Sequence, residues 1–519
     1  MKWELKDYFI KNRLIEPFEK LNLKNGGKYL LLLLFIYNNI FLFLIEDKEL
    51  NDSQKEIFSL LNNYYDLFYP ILNLNKTNEI RNAYMLHALN HIFKVRDTIL
   101  KNNFKIAKAK SQNKEIENIK DSGFTRAKVL ILVPFKSVAL DIVNKLCDLS
   151  GCDQIQNKAK FLNEYQLPKG TIDPVKNNTK LPEDHRQIFS GNTEDYFKLG
   201  IKLTRKTLKL YTSFYQSDII LASPLALRLG TEQKEYDFLS SIEIVILDQL
   251  DHLCMQNSEH LHHLFSKLNQ VPTEARDVDF SRVKSHYLNQ QAEFNCQLIT
   301  LSQIITPEIQ ALFHKYSKNV EGKIQYFEPV LEGQYLKIEN PVSHKLFRIL
   351  SNGQLTQQDE LRFEYFKNNI LPQLNQKLQF EKKVMLFINN YFDFVKVKNY
   401  LKLLNFEFGT ISEYSSIKEV SKYRNWLKIG KINLILYTER CHFYRRYKIQ
   451  DINEIIFYSL PDYCNYYNEL IDNIQLDSLN NKINITILFS KWDELKLNGI
   501  FGTKNTRSFI HGNRDQINF

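Results

Sequence analysis

The sequence predicts an α/β protein: two tandem domains, each a mostly parallel sheet flanked by helices, behind a helical N-terminal extension. Three observations predict it. Short apolar runs without alternation recur, among them residues 128–133 (KVLILV) and 242–247 (IEIVIL); a strand apolar at every position is buried on both faces, as parallel strands are. These runs alternate with segments of helical periodicity, the β-α rhythm of a parallel sheet. The alternation starts again near Lys383, after a stretch around 316–353 that carries the linker. Composition agrees. The 519 residues are 44% hydrophobic and 25% charged, which excludes a mainly disordered, collagen-like or coiled-coil chain. Lys plus Arg total 69 against 59 Asp plus Glu, a net charge of +10. An excess that small on a chain this long permits a nucleic-acid partner without demanding one.

Residues 1–60 form the expected extension. Within it, residues 29–45 (YLLLLLFIYNNIFLFLI) are strongly apolar. That run falls short of the roughly 20 residues a helix needs to cross a bilayer, and Asn38 and Asn39 sit at its centre. A buried core helix is expected there, with no membrane contact. Met1 opens no charged, apolar and small-residue leader pattern, so no secretory signal is expected. The first domain is assigned to 61–330. Its helix at 78–102 sets Tyr84, Leu86, His87, Ala88, Ile92, Val95 and Ile99 at roughly helical spacing. Residues 105–121, polar and basic, read as a loop. A strand at 128–133 closes at Pro134, and a helix at 137–149 follows. Residues 151–193, polar with scattered Pro and Gly, read as an insertion or long loop. Further strands are expected at 218–222 (DIILA), 242–247 and 297–301 (QLITL). The second domain, 331–519, carries strands at 383–388 (KVMLFI), 432–437 (INLILY), 454–458 (EIIFY) and 483–489 (INITILF), with a helix at 392–404. Cys147, Cys152, Cys254, Cys296, Cys441 and Cys464 form no CxxC pair, so reduced, mostly buried thiols are expected rather than a zinc or redox site.

Chemistry in such domains gathers at strand ends. Residues 245–251 (VILDQLD) end an apolar strand in Asp248, the pattern in which an aspartate holds the magnesium of a nucleotide. The string Asp248-Gln249-Leu250-Asp251 resembles the D-E-A-D box of superfamily 2 RNA helicases. Other segments resemble helicase motifs in the same order: 128–143 (KVLILVPFKSVALDIV), 217–229 (SDIILASPLALRL), 297–309 (QLITLSQIITPEI), 383–394 (KVMLFINNYFDF) and 432–462, which ends in Leu460-Pro461-Asp462. The resemblance implies two RecA-like helicase domains. The departures bear on activity. No G-x-x-x-x-G-K-[ST] occurs; Asn73-Leu74-Asn75-Lys76-Thr77 stands in its place, without the glycines that let backbone N–H groups curl round phosphates. Gln249 replaces the glutamate that activates water. Ser302-Gln303-Ile304 replaces S-A-T, and CNYYNELIDN follows Leu460-Pro461 where an arginine-finger motif would stand. Cradle, base and finger are all altered, so no nucleotide cofactor and no turnover are expected.

Residues 83–103 (AYMLHALNHIFKVRDTILKNN), 123–140, 195–229, 237–251, 277–288 (DVDFSRVKSHYL) and 435–449 (ILYTERCHFYRRYKI) together resemble the U3 small nucleolar RNA-associated protein 25 family, also called digestive organ expansion factor. The resemblance covers roughly residue 60 to the C-terminus. It implies a DEAD-like pseudohelicase of the small-subunit processome, located in the nucleolus and acting in ribosomal RNA processing. The implied partners are pre-ribosomal or small nucleolar RNA and other processome proteins. The alternatives are an active RNA-dependent ATPase or a purely protein-binding scaffold.

Two basic stretches are the RNA-binding candidates. Lys198, Lys202, Arg205, Lys206 and Lys209 are expected in one helix or loop. Arg440, His442, Tyr444, Arg445, Arg446 and Lys448 occupy the motif V position. Cations attract phosphates and interleaved aromatics can stack bases. Asp248 and Asp251 are expected to be structural, capping the next helix, rather than metal-binding. His87 and His91 at i, i+4, and the run Glu259-His260-Leu261-His262-His263, lack converging third ligands and are expected to be core or surface histidines, with no metal.

Overall fold

A computed structural model of the chain describes all residues except 1–9, 25–28, 37–38, 47–51, 71–73, 114–118, 232–235, 275, 277, 328–330, 351–354, 473 and 475–482. The chain divides into two units, Met1–Phe327 and Glu328–Phe519.

In chain order the strands of the first unit are β1 (Tyr29–Ile36), β2 (Asn39–Glu46), β3 (Asp66–Pro70), β4 (Val129–Leu132), β5 (Gln154–Gln156), β6 (Lys198–Leu203), β7 (Thr207–Leu210), β8 (Ile219–Ala222), β9 (Ile244–Leu247), β10 (Gln297–Ser302) and β11 (Lys323–Gln325). Its helices include α1 (Asn12–Lys24), α2 (Asp52–Asn62), α3 (Leu74–Ser111), α4 (Lys136–Leu149), α5 (Lys158–Tyr165), α6 (Glu183–Phe189), α7 (Pro224–Thr231) and α8 (Leu250–Lys267). The main sheet runs β11-β3-β10-β9-β4-β8-β6-β7-β5. It is parallel from β11 to β8; β6 then runs antiparallel to β8 and to β7. Strand β4 shows why the apolar runs do not alternate. Val129 and Ile131 pack on one face with Tyr84 and Ile142, while Leu130 and Leu132 pack on the other with Leu250 and Leu253. Both faces are buried, and each such side chain contributes about 1.5–3 kcal/mol.

The second unit holds β12 (Val342–Arg348), β13 (Val384–Ile388), β14 (Gly409–Ile411), β15 (Leu434–Thr438), β16 (Glu454–Phe457), β17 (Ile483–Phe489) and β18 (Gln516–Asn518). Their order is β14-β15-β13-β16-β17-β12-β18, parallel except for β18.

Four expectations need correction. The apolar segment 29–45 is not a helix. Strands β1 and β2 pair antiparallel from Tyr29↔Glu46 to Ile36↔Asn39, and aromatic and branched residues on either side of the two asparagines suit a pleated pair. No helix among the described residues is long and apolar enough to cross a membrane. Residues 105–111 belong to α3, not to a loop: Lys and Ala are strong helix formers and nothing from 105 to 111 breaks the helix. The stretch 151–193 is structured, since β5 completes the sheet edge and α5 and α6 follow. The lysine-rich stretch 198–209 is neither helix nor loop but the antiparallel pair β6 and β7, in which Leu199, Ile201, Leu203, Leu208 and Leu210 are buried. All six cysteines are free; Cys296 and Cys441 are buried and the others half-buried.

Candidate functional site

Strand β9 is buried at every position and delivers Asp248 to the carboxyl edge of the sheet. There the carboxylate is already engaged. The Arg81 Nε donates to Asp248 Oδ2 at 2.7 Å, and the Tyr84 hydroxyl donates to the same oxygen at 2.8 Å. Both donors come from α3, one helical turn apart, so they present from one face. Arg81 also donates to Asp141 Oδ2 at 3.1 Å, and Lys145 donates to Asp141 Oδ1 at 2.7 Å. Burial opposes the Arg81 charge, but the carboxylates of Asp248 and Asp141 outweigh it and hold the guanidinium protonated. Burial, reinforced by Asp248, likewise keeps the Tyr84 hydroxyl protonated and donating.

The turn after β9 is tight. Gln249 has φ 61° and ψ 54°, a left-handed conformation that costs a residue with a Cβ about 1–2 kcal/mol. It is the N-cap of α8 but makes no side-chain cap bond. The expected capping role of Asp248 and Asp251 is therefore not what the geometry shows. Asp248 faces Arg81, and Asp251 is buried in the first turn of α8, its Oδ2 3.5 Å from His252 Nε2. Leu250 is buried in the core.

A pocket of about 120 Å³ opens beside Asp248, walled by Thr77, Arg81, Gln249, Ser302 and Gln303. Helix α6, from the stretch expected to be a loop, adds Gln187 and Ile188 to the wall. Thr77 faces this pocket from α3 while Lys76 is exposed; Asn73 lies outside the described residues. The Ser302 hydroxyl is spent within its own loop, donating to the Ile304 carbonyl at 2.7 Å.

The two basic stretches fare differently. On β6 and β7, Lys202 and Lys209 stand directly opposite one another. Lys198 lies at the other end of β6, opposite Ala222, and Arg205 and Lys206 are exposed in the connecting turn. In the second unit, the helix Glu439–Arg445 carries most of the other candidates. His442 is buried, with Nδ1 3.1 Å from the Tyr437 hydroxyl and Nε2 3.1 Å from Glu469. Arg446 is buried too, its Nε 3.2 Å from Glu469 and its guanidinium 4.0 Å from the Tyr466 ring centre. Arg440 is half-buried, 4.0 Å from Glu413, and Tyr444 is half-buried. Only Arg445 and Lys448 are exposed. The expectation of one RNA-facing cluster is corrected here: His442 and Arg446 serve the packing of the unit. Beside them, Glu439 accepts backbone N–H bonds from Asp462 and Tyr463; burial, with Asp462 nearby, pushes its carboxyl up to about 8. Lys496 pairs with Asp462 at 2.7 Å.

Residues 64–324 match the family described as "UTP25, NTP hydrolase-like domain", and residues 336–519 match "Utp25, C-terminal domain". The chain belongs to the UTP25 family. A relative named U3 small nucleolar RNA-associated protein 25 from Schizosaccharomyces pombe is 38% identical over 483 residues, 91% of this chain and 72% of its own length. Proteins of the same name from Candida albicans (strain WO-1) and Candida tropicalis are 40% and 38% identical, over 88% and 96% of this chain and 64% and 68% of theirs. Among solved structures, S. cerevisiae dbp5 with gle1 and ip6 aligns over 98% of this chain and 92% of its own at 10% identity and TM-score 0.31. A DEAD box protein from Methanococcus jannaschii aligns over 97% and 96% at 13% identity and TM-score 0.29. The tandem α/β assignment stands on the strand order and parallel register above.

The five histidines that the sequence raised as metal-ligand candidates in this UTP25 chain are engaged in polar contacts. His87 Nε2 lies 2.8 Å from the Gln297 amide oxygen, and burial lowers its pKa to about 3. His91 pairs with Glu243 at 2.9 Å, His260 with Arg228, His262 with Tyr316 and His263 with Tyr236. Sequence reasoning missed Arg81 and Tyr84, the residues that define the site. Arg81 was visible only as a cation beside an apolar helical stripe; its partner is far away in the sequence.

Proposed function

We propose that this chain is a non-catalytic, helicase-like component of the small-subunit processome. It works in the nucleolus on small-subunit ribosomal RNA maturation, holding RNA and partner proteins without turning over ATP. The observation that carries the reading is the occupied carboxylate. Phosphoryl transfer on this architecture needs Asp248 free to hold magnesium, a base beside it and a phosphate cradle before α3. Here Asp248 is bonded to Arg81 and Tyr84, Gln249 has no basic atom to activate water, and no glycine loop precedes α3. A magnesium ion would have to displace a buried guanidinium and leave it only the half-buried Asp141 as a counter-charge, at a cost of up to about 3–5 kcal/mol. The relatives' names, which tie them to U3 small nucleolar RNA, support a ribonucleoprotein setting. Contact with pre-ribosomal or small nucleolar RNA falls to the β6–β7 cations, with Arg445 and Lys448 as lesser candidates because they alone of the second stretch are exposed. The test is ATP binding and RNA-stimulated hydrolysis by the purified chain, with Asp248→Ala as control. Neither binding nor turnover is expected. Turnover that Asp248→Ala abolishes would sink the reading and mean that Arg81 swings away to admit the metal.

A further inference from the structure

We infer that the cationic edge of the first unit, at the end of its sheet opposite Asp248, is a docking surface for double-stranded RNA. It is built from Arg96, Arg126, Lys202, Arg205, Lys206 and Lys209. This rests on the RNA-binding reading above and adds to it a position, two further cations and a ligand class.

Position follows from register. Strands β4, β8 and β9 are parallel, and Asp248 follows the last residue of β9. Asp218 immediately precedes β8, and Arg126 lies just before β4, so both stand at the opposite ends of the same strands. Arg126 donates to both carboxylate oxygens of Asp218, at 2.7 and 2.9 Å. The Leu203 amide donates to Asp218 Oδ2, which places the end of β6 at this edge. Arg96 and Arg126 both donate to the Leu203 carbonyl, at 3.2 and 3.3 Å. Lys198, four residues earlier on β6, is about 13 Å away toward the other edge and is left out.

The charges are concentrated and poorly compensated. Lys202 and Lys209 face each other across an antiparallel pair, an arrangement of like charges that destabilises a sheet. Asp218 is the one carboxylate bonded into the group among the described residues, and Arg126 already occupies it. Burial together with Arg126 and Lys209 lowers the Lys202 pKa. The turn bearing Arg205 and Lys206 is rigid: Thr204 and Thr207 bond each other three times over, and the Gln154 amide donates to the Lys206 carbonyl. A fixed array of mutually repelling cations gains most from a polyanion.

The absence of apolar anchors selects the class. Along β6, β7 and the turn between them no large apolar side chain is exposed; the exposed Leu100 and Phe104 lie one and two turns beyond Arg96 on α3, and Tyr196 and Leu229 lie toward the Lys198 end. Protein interfaces draw on aromatic and apolar anchors, and single strands on stacking platforms. Duplex RNA is recognised instead through phosphates and 2′-hydroxyls. Gln156, exposed on β5 directly beside Lys209, supplies a neutral donor and acceptor for the latter.

The experiment titrates the full chain with an RNA duplex of about 16 base pairs, a single strand of the same length and poly-glutamate, across a salt series. Wild type is compared with Arg205→Glu/Lys206→Glu, whose positions are exposed, and with Lys202→Gln/Lys209→Gln. Duplex preference in wild type is expected. The turn variant should lose about tenfold or more in affinity and its salt slope should fall by about two. Lys402→Glu/Lys504→Glu, at exposed positions of the second unit with no assigned role, should leave duplex binding unchanged. Wild type that binds only the single strand overturns this inference but leaves RNA binding standing. Wild type that binds neither overturns both. Duplex affinity untouched in both edge variants, or only poly-glutamate binding lost, overturns the inference and, in the second case, gives the edge to an acidic protein.

Discussion

A guanidinium can satisfy a buried carboxylate as a metal ion does, but it cannot be exchanged. Asp248 is 2% exposed, and removing the partner of such a group typically costs about 3–5 kcal/mol. Arg81→Ala should therefore lower stability by up to about that amount in urea unfolding, and Asp248→Ala should also destabilise, since it leaves Arg81 only the half-buried Asp141. Arg81→Met combined with Asp248→Leu should cost less than the sum of the single changes, because the pair leaves together. Additive losses would mean that the two groups do not interact. Asp393 offers a pH test with the opposite sense. Burial, reinforced by Asp359 and Glu360 and opposed by Arg362 and Lys396, pushes its carboxyl up to about 6 from 3.8. The folded chain thus holds a proton that the unfolded chain has released, so stability falls as pH rises between these values. Asp393→Asn should gain up to about 3 kcal/mol near neutral pH and nothing near pH 3, in urea midpoints at the two conditions. An equal effect at both would assign the change to packing instead.

At the level of elements, what was legible in the sequence follows from burial. Strands β4, β8, β9 and β13 are buried at every position and read as unbroken apolar runs; β10, β15 and β16, also buried throughout, and β17, buried almost throughout, read as apolar runs with a few polar positions. Edge elements lack that mark. In β6, Lys198, Gly200 and Lys202 alternate with Leu199, Ile201 and Leu203, but its polar positions are lysines and a glycine, so it read as a basic helix or loop. Strand β5 has only three residues and one half-buried side chain. Helix α3 runs 38 residues, about 57 Å. Its apolar stripe ends where it leaves the core near Asp97, which is why its last turns read as a loop. The hairpin β1–β2 misled for the opposite reason: a continuous apolar run fits a helix or two strands, and periodicity cannot decide between them. The candidate site was half legible. The strand that ends at Asp248 could be found; the helix face that neutralises it could not, because Arg81 and Asp248 meet only through tertiary packing.

Each hydrophobic cluster among the described residues lies wholly within one unit. The clusters around β4 and around Phe124 fall in Met1–Phe327, and those around β13 and β15 fall in Glu328–Phe519. Burial is what drives cooperative folding, so the second unit should have what it needs without the first. Its sheet is finished at one edge by β18, which pairs antiparallel with β12 through Lys345↔Asn518. A buried Arg362–Asp493 ion pair at 2.7 Å, with Arg362 also bonded to the Tyr458 and Leu488 carbonyls, ties its helices to β16 and β17. A chain of residues 328–519 falls within the size at which domains fold alone. Expressed by itself, it should be monomeric and show one cooperative thermal transition with native-like helix and strand content. Ending it before Gln516 should lower the midpoint, because β12 would then present an unpaired edge. A non-cooperative melt of the isolated unit would mean that its core is completed by residues outside it, and that the confinement of the clusters does not describe how the protein folds.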